Sequence, residues 1–461
     1  MAFDKFKEEC GVFAVSNNND ASALTALGLH ALQHRGQEAC GIVSFDGETF
    51  HKHLAYGKVG DNFSSKEVID KLRGSFAIGH NRYSTSGDKN GVNNIQPIFA
   101  ETSKGKIAIA HNGNLVNAND LRQKLVNEGS IFSTSMDSEV IIHLIATSHK
   151  KDFYSSLIEA LDQIKGGFSL VGISENEIIG LRDPLGIRPL VLGKLKDSFV
   201  LTSETVALDI IGAKYVREVK PGEIIRITSD GKLESKIYSD SKKEKFCIFE
   251  YVYFARPDSF FAEKSVYNLR KEMGRQLAKL CEAEVDIVVP VPDSGVPAAI
   301  GYSEQKGVPF ELGIIRNHYI GRTFIEPSDN IRNLGVRLKH NANSKILEGK
   351  RVALIDDSIV RGTTSKKIVD MIKRAGAKEI HMRISSPPTI GSCFYGIDTP
   401  SKKDLIANKL DLEGIRKFIG VDSLQYLSLD SLYRAIGEGK RNYATSNYCD
   451  ACFSGEYPVA V

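Results

Sequence analysis

A chain of 461 residues, 42% hydrophobic and 25% charged, exceeds the size at which one hydrophobic core stops growing, so at least two domains are expected. Lys and Arg total 60 against 57 for Asp and Glu, and the net charge of +3 excludes a general attraction to nucleic acid or to an acidic membrane, so any anion site must be built locally. No apolar run approaches the roughly 18 residues needed to span a bilayer, and MAFDKFKEEC has no apolar signal core, so a cytoplasmic protein is expected. In chain order, short β-type runs (GVFAV, GIVSF, FAIGH, KIAIAHNG, SLVGI, FVLTSE) broken by turn residues fill the first half, with helices near Ala21–Leu32 and Met136–Thr147; this predicts a strand-rich α+β domain. The polar stretch SDSKKEK at Ser239–Lys245 has nothing to bury and marks a boundary, giving domains at 10–238 and 246–461. Beyond it, apolar strands alternate with helices: DIVVPVP, a helix from about Val296, RVALIDDS, a helix from about Thr363, and EIHMRIS. That alternation predicts a doubly wound α/β domain with a parallel sheet.

Cys10 opens the first strand-like run after nine residues without helical or strand pattern, so residues 1–9 are expected to be a removable leader. A cysteine exposed as the first residue can use its own α-amino group as general base for its thiol. The plain alternative is a buried core cysteine. Three polar segments accompany it: HNRYST at His80–Thr85, HNGNL at His111–Leu115 and STSMDSEV at Ser133–Val140. Arg82 offers a planar fork for an α-carboxylate and Asp137 a partner for an α-ammonium, a pair that selects an amino acid zwitterion such as glutamine. The Asn112 side-chain amide and the Gly113 N–H would receive an oxyanion as the thiol attacks the γ-amide. HNG also fits an ordinary turn at a strand end.

With LQHRGQEACGI at Leu32–Ile42 and RDPLGIRPL at Arg182–Leu190, the region from Cys10 to about Thr228 resembles the glutaminase domain of class II, N-terminal-nucleophile (Ntn) amidotransferases. The resemblance implies an αββα sandwich.

In the second half, VALIDDSIVRGTTS at Val352–Ser365 places two carboxylates at the end of a buried strand, before a loop that opens a helix. Ligands bind at that position in parallel sheets. Backbone N–H groups from Ser358 through Thr364, with the hydroxyls of Ser358, Thr363 and Thr364, suit a 5′-phosphate. Asp356 and Asp357 repel phosphate and are placed for ribose hydroxyls and a divalent cation; a helix N-cap with an acidic first turn is the alternative. The pattern resembles the signature of type I phosphoribosyltransferases, which bind phosphoribosyl pyrophosphate (PRPP). By that resemblance Ser358, Arg361, Gly362, Thr363 and Thr364 join the PRPP site. The resemblance also implies that Asp293, Ser294 and Gly295 in VPVPDSGVPAA form the pyrophosphate loop and that Ser294 joins Asp356 and Asp357 around Mg2+. RNHYIGRTFIEPSDNIRNLGVRLKH, Arg316–His340, with Arg316, Arg322, Arg332, Arg337 and Lys339, reads as a basic lid or as a plain solvated loop.

Seven cysteines are few and odd in number, which in a reducing compartment argues against a disulfide framework. Cys449 and Cys452 form a C-x2-C pair, open from spacing alone to zinc, a redox couple or two unrelated thiols. The chain as a whole resembles the leader-carrying, iron–sulfur subgroup of the amidophosphoribosyltransferases. That resemblance implies a 4Fe–4S cluster on Cys247, Cys393, Cys449 and Cys452, one Mg2+ per subunit, an ammonia tunnel, feedback inhibition by purine nucleotides (AMP, GMP, ADP class) and a homotetramer. Cys40 and Cys281 match no ligand motif and are expected to be core residues. The competing functions are another class II amidotransferase, which lacks the DDSIVRGTTS loop, a PRPP-binding regulatory protein, which needs no glutaminase, and a degraded homologue, which would have lost a residue of the set.

Overall fold

The computed structural model describes residues 10–83, 94–240, 243–317, 340–442, 444 and 446–460. Along the Gly11–Val15 strand, Phe13 and Val15 face one way and Val12 and Ala14 the other, and all four are buried. Burial on both faces explains why the run is continuously apolar rather than alternating. Each large side chain so buried contributes about 1.5–3 kcal/mol. This strand is central in a seven-stranded antiparallel sheet whose order is Lys214–Glu218, Val191–Leu195, Ser198–Thr202, Gly11–Val15, Phe76–Arg82, Ala39–Phe45, Phe50–Tyr56. A six-stranded antiparallel sheet lies against it, in the order Leu233–Ile237, Glu223–Thr228, Glu177–Arg182, Gly166–Ser174, Gly105–Leu115, Ile98–Thr102. Val12, Ala14 and Ile78 from the first sheet meet Ala108, Ala110 and Val171 from the second in a shared core. The helix Ala21–Ala31 covers the outer face of the first sheet, and the helices Ser138–Thr147 and Phe153–Leu161 cover that of the second. The layers are helix, sheet, sheet, helix, as the resemblance implied.

The second half is built on a four-stranded parallel sheet in the order Ile287–Pro290, Arg351–Asp356, Glu379–Ile384, Ser423–Tyr426. Val288, Ala353 and Ile355 face the helices Val266–Lys279 and Val296–Lys306, while Val289, Val352 and Leu354 face Thr363–Arg374 and Leu412–Ile419. The first helix pair is in backbone contact: a Cβ on Gly274 would lie 1.9 Å from the Ala298 carbonyl oxygen, and one on Gly301 1.9 Å from that of Lys271. The Ser423–Tyr426 strand escapes the sequence reading because SLQY is short and half polar. The two halves also meet away from the connecting chain. The π-helical turn Glu250–Phe254 delivers a wholly buried carboxylate, Glu250, to Arg35 of the first half, and within the second half Phe246–Cys247 pairs in parallel with Tyr448–Cys449.

Candidate active site

His80–Arg82 and His111–Leu115 are not turns. They lie within and at the ends of the strands Phe76–Arg82 and Gly105–Leu115, all buried but for the half-buried Gly113 and Asn114. His80 Nε2 lies 3.1 Å from the His111 carbonyl oxygen, tying the two sheets together. Burial holds the His80 imidazole down at about 3, so it is neutral and donates. This contact brings the residues next along each strand, Asn81 and Arg82 on one and Asn112 and Gly113 on the other, to one end of the sandwich. Gly11 pairs with Asn81 across the first sheet, so Cys10 lies at that same end; it is buried, and its thiol donates to the Tyr83 carbonyl at 3.6 Å.

The buried polar atoms here are under-satisfied. Both terminal nitrogens of Arg82 and both side-chain polar atoms of Asn112 find no hydrogen-bond partner among the described residues. Leaving such groups unpaired costs about 1–3 kcal/mol each, more for a charge; their orphaned state is that of a site awaiting a polar ligand. Asp137 stands at the head of the Ser138–Thr147 helix, where its Oδ2 accepts from Leu115 N at 2.9 Å. Sequence reasoning missed Glu139, which folds the STS segment: its carboxylate accepts from the backbone N–H and hydroxyl of both Ser133 and Thr134 at 2.8–2.9 Å. Burial would raise its carboxyl, but these four bonds lower it. Ser84 and Thr85 of the HNRYST segment lie outside the described residues.

A second missed group lies behind Cys10. Arg35, in the LQHRGQEACGI stretch, donates from Nε to the Cys10 carbonyl at 3.2 Å. Its other nitrogens reach Glu204 Oε1 at 2.7 Å and Glu250 at 2.8 and 3.0 Å. Glu204 also accepts from Ser259 Oγ at 2.7 Å and Arg256 N at 3.0 Å. Arg188 stands 3.6 Å from Glu250 on its other side. Four fully buried ions thus interlock the Cys10 backbone with the second half. The signal available in sequence was only a charge inside an otherwise apolar or glycine-containing run.

At the second candidate site, Val291 N bonds Ile355 O at 2.8 Å, so the loops after the strands Ile287–Pro290 and Arg351–Asp356 leave the sheet side by side at its carboxyl end. Ser294 Oγ donates to Asp357 Oδ1 at 2.5 Å and Ser358 Oγ to Asp357 Oδ2 at 2.7 Å, while Asp356 Oδ1 accepts from Asp357 N at 2.9 Å. Asp356 and Asp357 are buried. The oxygen donors expected around Mg2+ are therefore grouped on adjoining loops, a hard donor set that fits a hard cation. Gly295 sits where a Cβ would lie 2.5 Å from the Ile355 carbonyl oxygen. Gly362 takes φ +81° immediately before the Thr363–Arg374 helix, the left-handed step that turns the Ser358–Arg361 loop toward the helix N-terminus. Arg270, which the sequence reading missed, is buried behind this loop and donates to the Tyr251 and Ala255 carbonyls at 2.8 Å. Burial lowers its guanidinium to about 10 against the opposing pull of Asp357.

Of the proposed lid, Arg322, Arg332, Arg337 and Lys339 lie outside the described residues. Arg316 at its near end pairs with Asp293, and Ile314–Arg316 forms a ladder with His340–Ala342 at its far end. Residues 1–9 are also outside the described residues.

Cys247, Cys393, Cys449 and Cys452, drawn from three remote stretches, line one small cavity together with Phe249, Ile397 and Ala451. Among the described residues no three His, Cys, Asp or Glu side chains converge at single-ion distance; the thiols stand around a space rather than a point. Burial first, and the neighbouring sulfurs next, push the Cys452 thiol up; burial drives Cys449 to about 12. Four soft donors facing one apolar cavity are the donor type that a polynuclear soft-metal group takes. Cys40 and Cys281 are buried elsewhere, as expected.

The glutamine amidotransferase domain family matches residues 80–209, and the phosphoribosyl transferase domain family matches residues 264–385. The amidophosphoribosyltransferase of Rhizobium etli is 52% identical over 461 aligned positions, covering 99% of this chain and 93% of the relative. The chloroplastic amidophosphoribosyltransferase of Vigna aconitifolia is 50% identical, covering 99% and 92%. The solved glutamine PRPP amidotransferase from B. subtilis, complexed with ADP and GMP, superimposes with a TM-score of 0.92 at 45% identity, covering 98% of both chains. With a glutamine amidotransferase domain and a phosphoribosyl transferase domain in one chain, and relatives aligned across nearly all of it, the chain belongs to the amidophosphoribosyltransferases, which transfer ammonia from glutamine to PRPP to give 5-phosphoribosylamine, glutamate and pyrophosphate at the start of purine biosynthesis.

Proposed function

We propose that removal of residues 1–9 frees the α-amino group of Cys10, which takes the thiol proton as sulfur attacks the γ-amide carbon of glutamine. Arg82 and Asp137 hold the α-carboxylate and α-ammonium, and the Asn112 amide and Gly113 N–H stabilise the oxyanion. Ammonia leaves, and water hydrolyses the thioester to glutamate. The observation that carries this reading is the pair of buried side chains with unpartnered polar atoms, Arg82 and Asn112: one a fork for a carboxylate, the other an amide donor for an oxyanion.

In the second domain, Ser358, Arg361, Gly362, Thr363 and Thr364 hold the 5′-phosphate of PRPP, Asp356 and Asp357 the ribose hydroxyls, and Asp293, Ser294 and Gly295 the pyrophosphate. Mg2+, when bound by Ser294, Asp356 and Asp357, neutralises charge on the departing pyrophosphate. Ammonia attacks C1, so the protein supplies position and charge stabilisation rather than a general base. The four cysteines hold a 4Fe–4S cluster, which places the chain in the leader-carrying iron–sulfur subgroup. A cytoplasmic homotetramer inhibited by purine nucleotides completes the proposal; the B. subtilis relative's complex with ADP and GMP supports the nucleotide part.

The test is release of glutamate and pyrophosphate by anaerobically purified protein given glutamine, Mg2+ and PRPP, with each omitted in turn. Equal release requiring both substrates is expected, and glutamate release without pyrophosphate overturns the acceptor assignment. The same preparation should contain about four irons and four sulfides per chain; one zinc without sulfide overturns the cluster.

A further inference from the structure

The oxyanion strand of the glutaminase is not closed by its own domain. Gly113 takes φ +144° and pairs with Phe168. On one side it presses against the neighbouring strand, where a Cβ on Gly113 would lie 2.1 Å from the Gly167 carbonyl oxygen and 2.7 Å from Phe168 Cα. On the other side it meets Gly396 of the second domain: a Cβ there would lie 2.7 Å from Gly113 Cα and 2.9 Å from its carbonyl carbon. Gly396 itself takes φ +109°. Contacts under 3.0 Å with backbone cannot be relieved by turning a side chain, so one methyl group at 396 must displace Gly113 or its own segment.

The segment carrying Gly396 is held firmly. Asn114 Nδ2, one residue past Gly113, donates to the Phe394 carbonyl at 2.9 Å. The buried Arg188 donates to the Tyr395 carbonyl at 2.7 Å, the Tyr395 hydroxyl donates to Val459 O at 2.7 Å, and Cys393 N donates to Thr399 Oγ1 at 2.7 Å. A rigid piece of the phosphoribosyltransferase domain therefore forms the back wall of the strand bearing Asn112 and Gly113.

We infer that Gly396 is a positioning residue of the glutaminase: its bare backbone fixes the depth at which the Gly113 N–H stands behind the oxyanion. The inference rests on the assignment of Asn112 and Gly113 as the oxyanion hole. Such donors act within a few tenths of an ångström of a set distance, and losing one costs on the order of 10²–10³ in kcat. The second domain thereby completes the active site of the first without itself touching glutamine.

The experiment compares Gly396→Ala, Asn114→Ala and Asn112→Ala in the full-length protein, measuring glutamine-dependent and ammonia-dependent synthesis. It also measures affinity for an aldehyde analogue of glutamine, whose tetrahedral adduct with Cys10 puts an oxygen in the hole, and the rate of Cys10 alkylation by iodoacetamide. Gly396→Ala is expected to lower glutamine-dependent kcat about 10²-fold with KM for glutamine and alkylation little changed, aldehyde affinity falling in step, and ammonia-dependent synthesis retained. Asn114→Ala, which removes the tether without adding bulk, should do the same to a smaller degree. If Asn112→Ala disables glutamine use but the other two variants do not, the positioning role is overturned and the oxyanion hole stands. If Asn112→Ala is also silent, the oxyanion assignment falls and the inference with it. Equal loss of both activities in Gly396→Ala and Asn114→Ala marks a general structural role and overturns it as well.

Discussion

The two candidate sites are organised in opposite ways. Around Cys10 the proposed functional side chains stand at strand ends, inside one strand and at one helix head, and their positions are fixed by two sheets, by the His80–His111 contact and by the Arg35 network. Around Asp356, the last residue of its strand, and Asp357 they sit at the carboxyl ends of parallel strands and on the loops that follow, held by short side-chain bonds such as Ser294 to Asp357. The first site is a piece of the core with a few groups left unpaired. The second is a rim that any doubly wound sheet offers, made specific by its loops. A site cut from the core depends on distant packing, whereas a site on loops depends mainly on its own residues.

The sharpest way to separate the two is to remove the Cys10 thiol. Cys10→Ala should cut glutamine-dependent synthesis on the order of 10⁴-fold or more while ammonia-dependent synthesis continues. Replacing Asp356 and Asp357 together by Asn should instead lower both activities by at least about 10³-fold, because losing ribose and cation contacts removes positioning and charge stabilisation together. Ammonia-dependent synthesis near wild type in that double variant would contradict the assignment of the acids.

Dependence on distant packing is tested by Glu250→Gln. Glu250 is fully buried between Arg35 and Arg188, so neutralising it leaves guanidinium charge uncompensated, at about 3–5 kcal/mol. Urea unfolding should show this loss. Glutamine-dependent activity should suffer more than ammonia-dependent activity, since Arg35 holds the Cys10 carbonyl; a larger loss of ammonia-dependent activity would reverse the comparison.

The contrast also explains what could be read from the sequence. The apolar runs GVFAV and RVALIDDS announce strands because burial on two faces demands unbroken hydrophobicity, and both formed where expected. The DD-S-x-x-R-G-T-T loop is legible because all its groups are contiguous. Cys10, Arg82, Asn112 and Asp137 were legible only as separate segments in order; that HNR and HNG lie within strands was hidden, because polar residues in a strand read as a turn until the ligand-binding role is known. Arg35, Glu204 and Glu250 are remote in sequence and complementary only in three dimensions, so no local pattern exposes them. Gly396 is less legible still, since its importance is the space it leaves for Gly113.

The smallest expected effect concerns how the interlock behind Cys10 fails in acid. Burial alone would raise the Glu204 carboxyl, but His34 at 2.6 Å and Arg35 at 2.7 Å outweigh it and hold the group well below the usual carboxylate range. A folded pKa below the unfolded value of about 4.3 means that this stabilisation is fully present above that value and is lost as pH falls through it toward the folded pKa. The wild-type urea midpoint should therefore fall more steeply below about pH 5 than that of Glu204→Gln, which is less stable at neutral pH. The two curves should converge in acid, because protonation does to the native side chain what the substitution does at every pH. Parallel curves would mean that Arg35 is held by Glu250 alone, and the glutaminase would then lean on the second domain more heavily still.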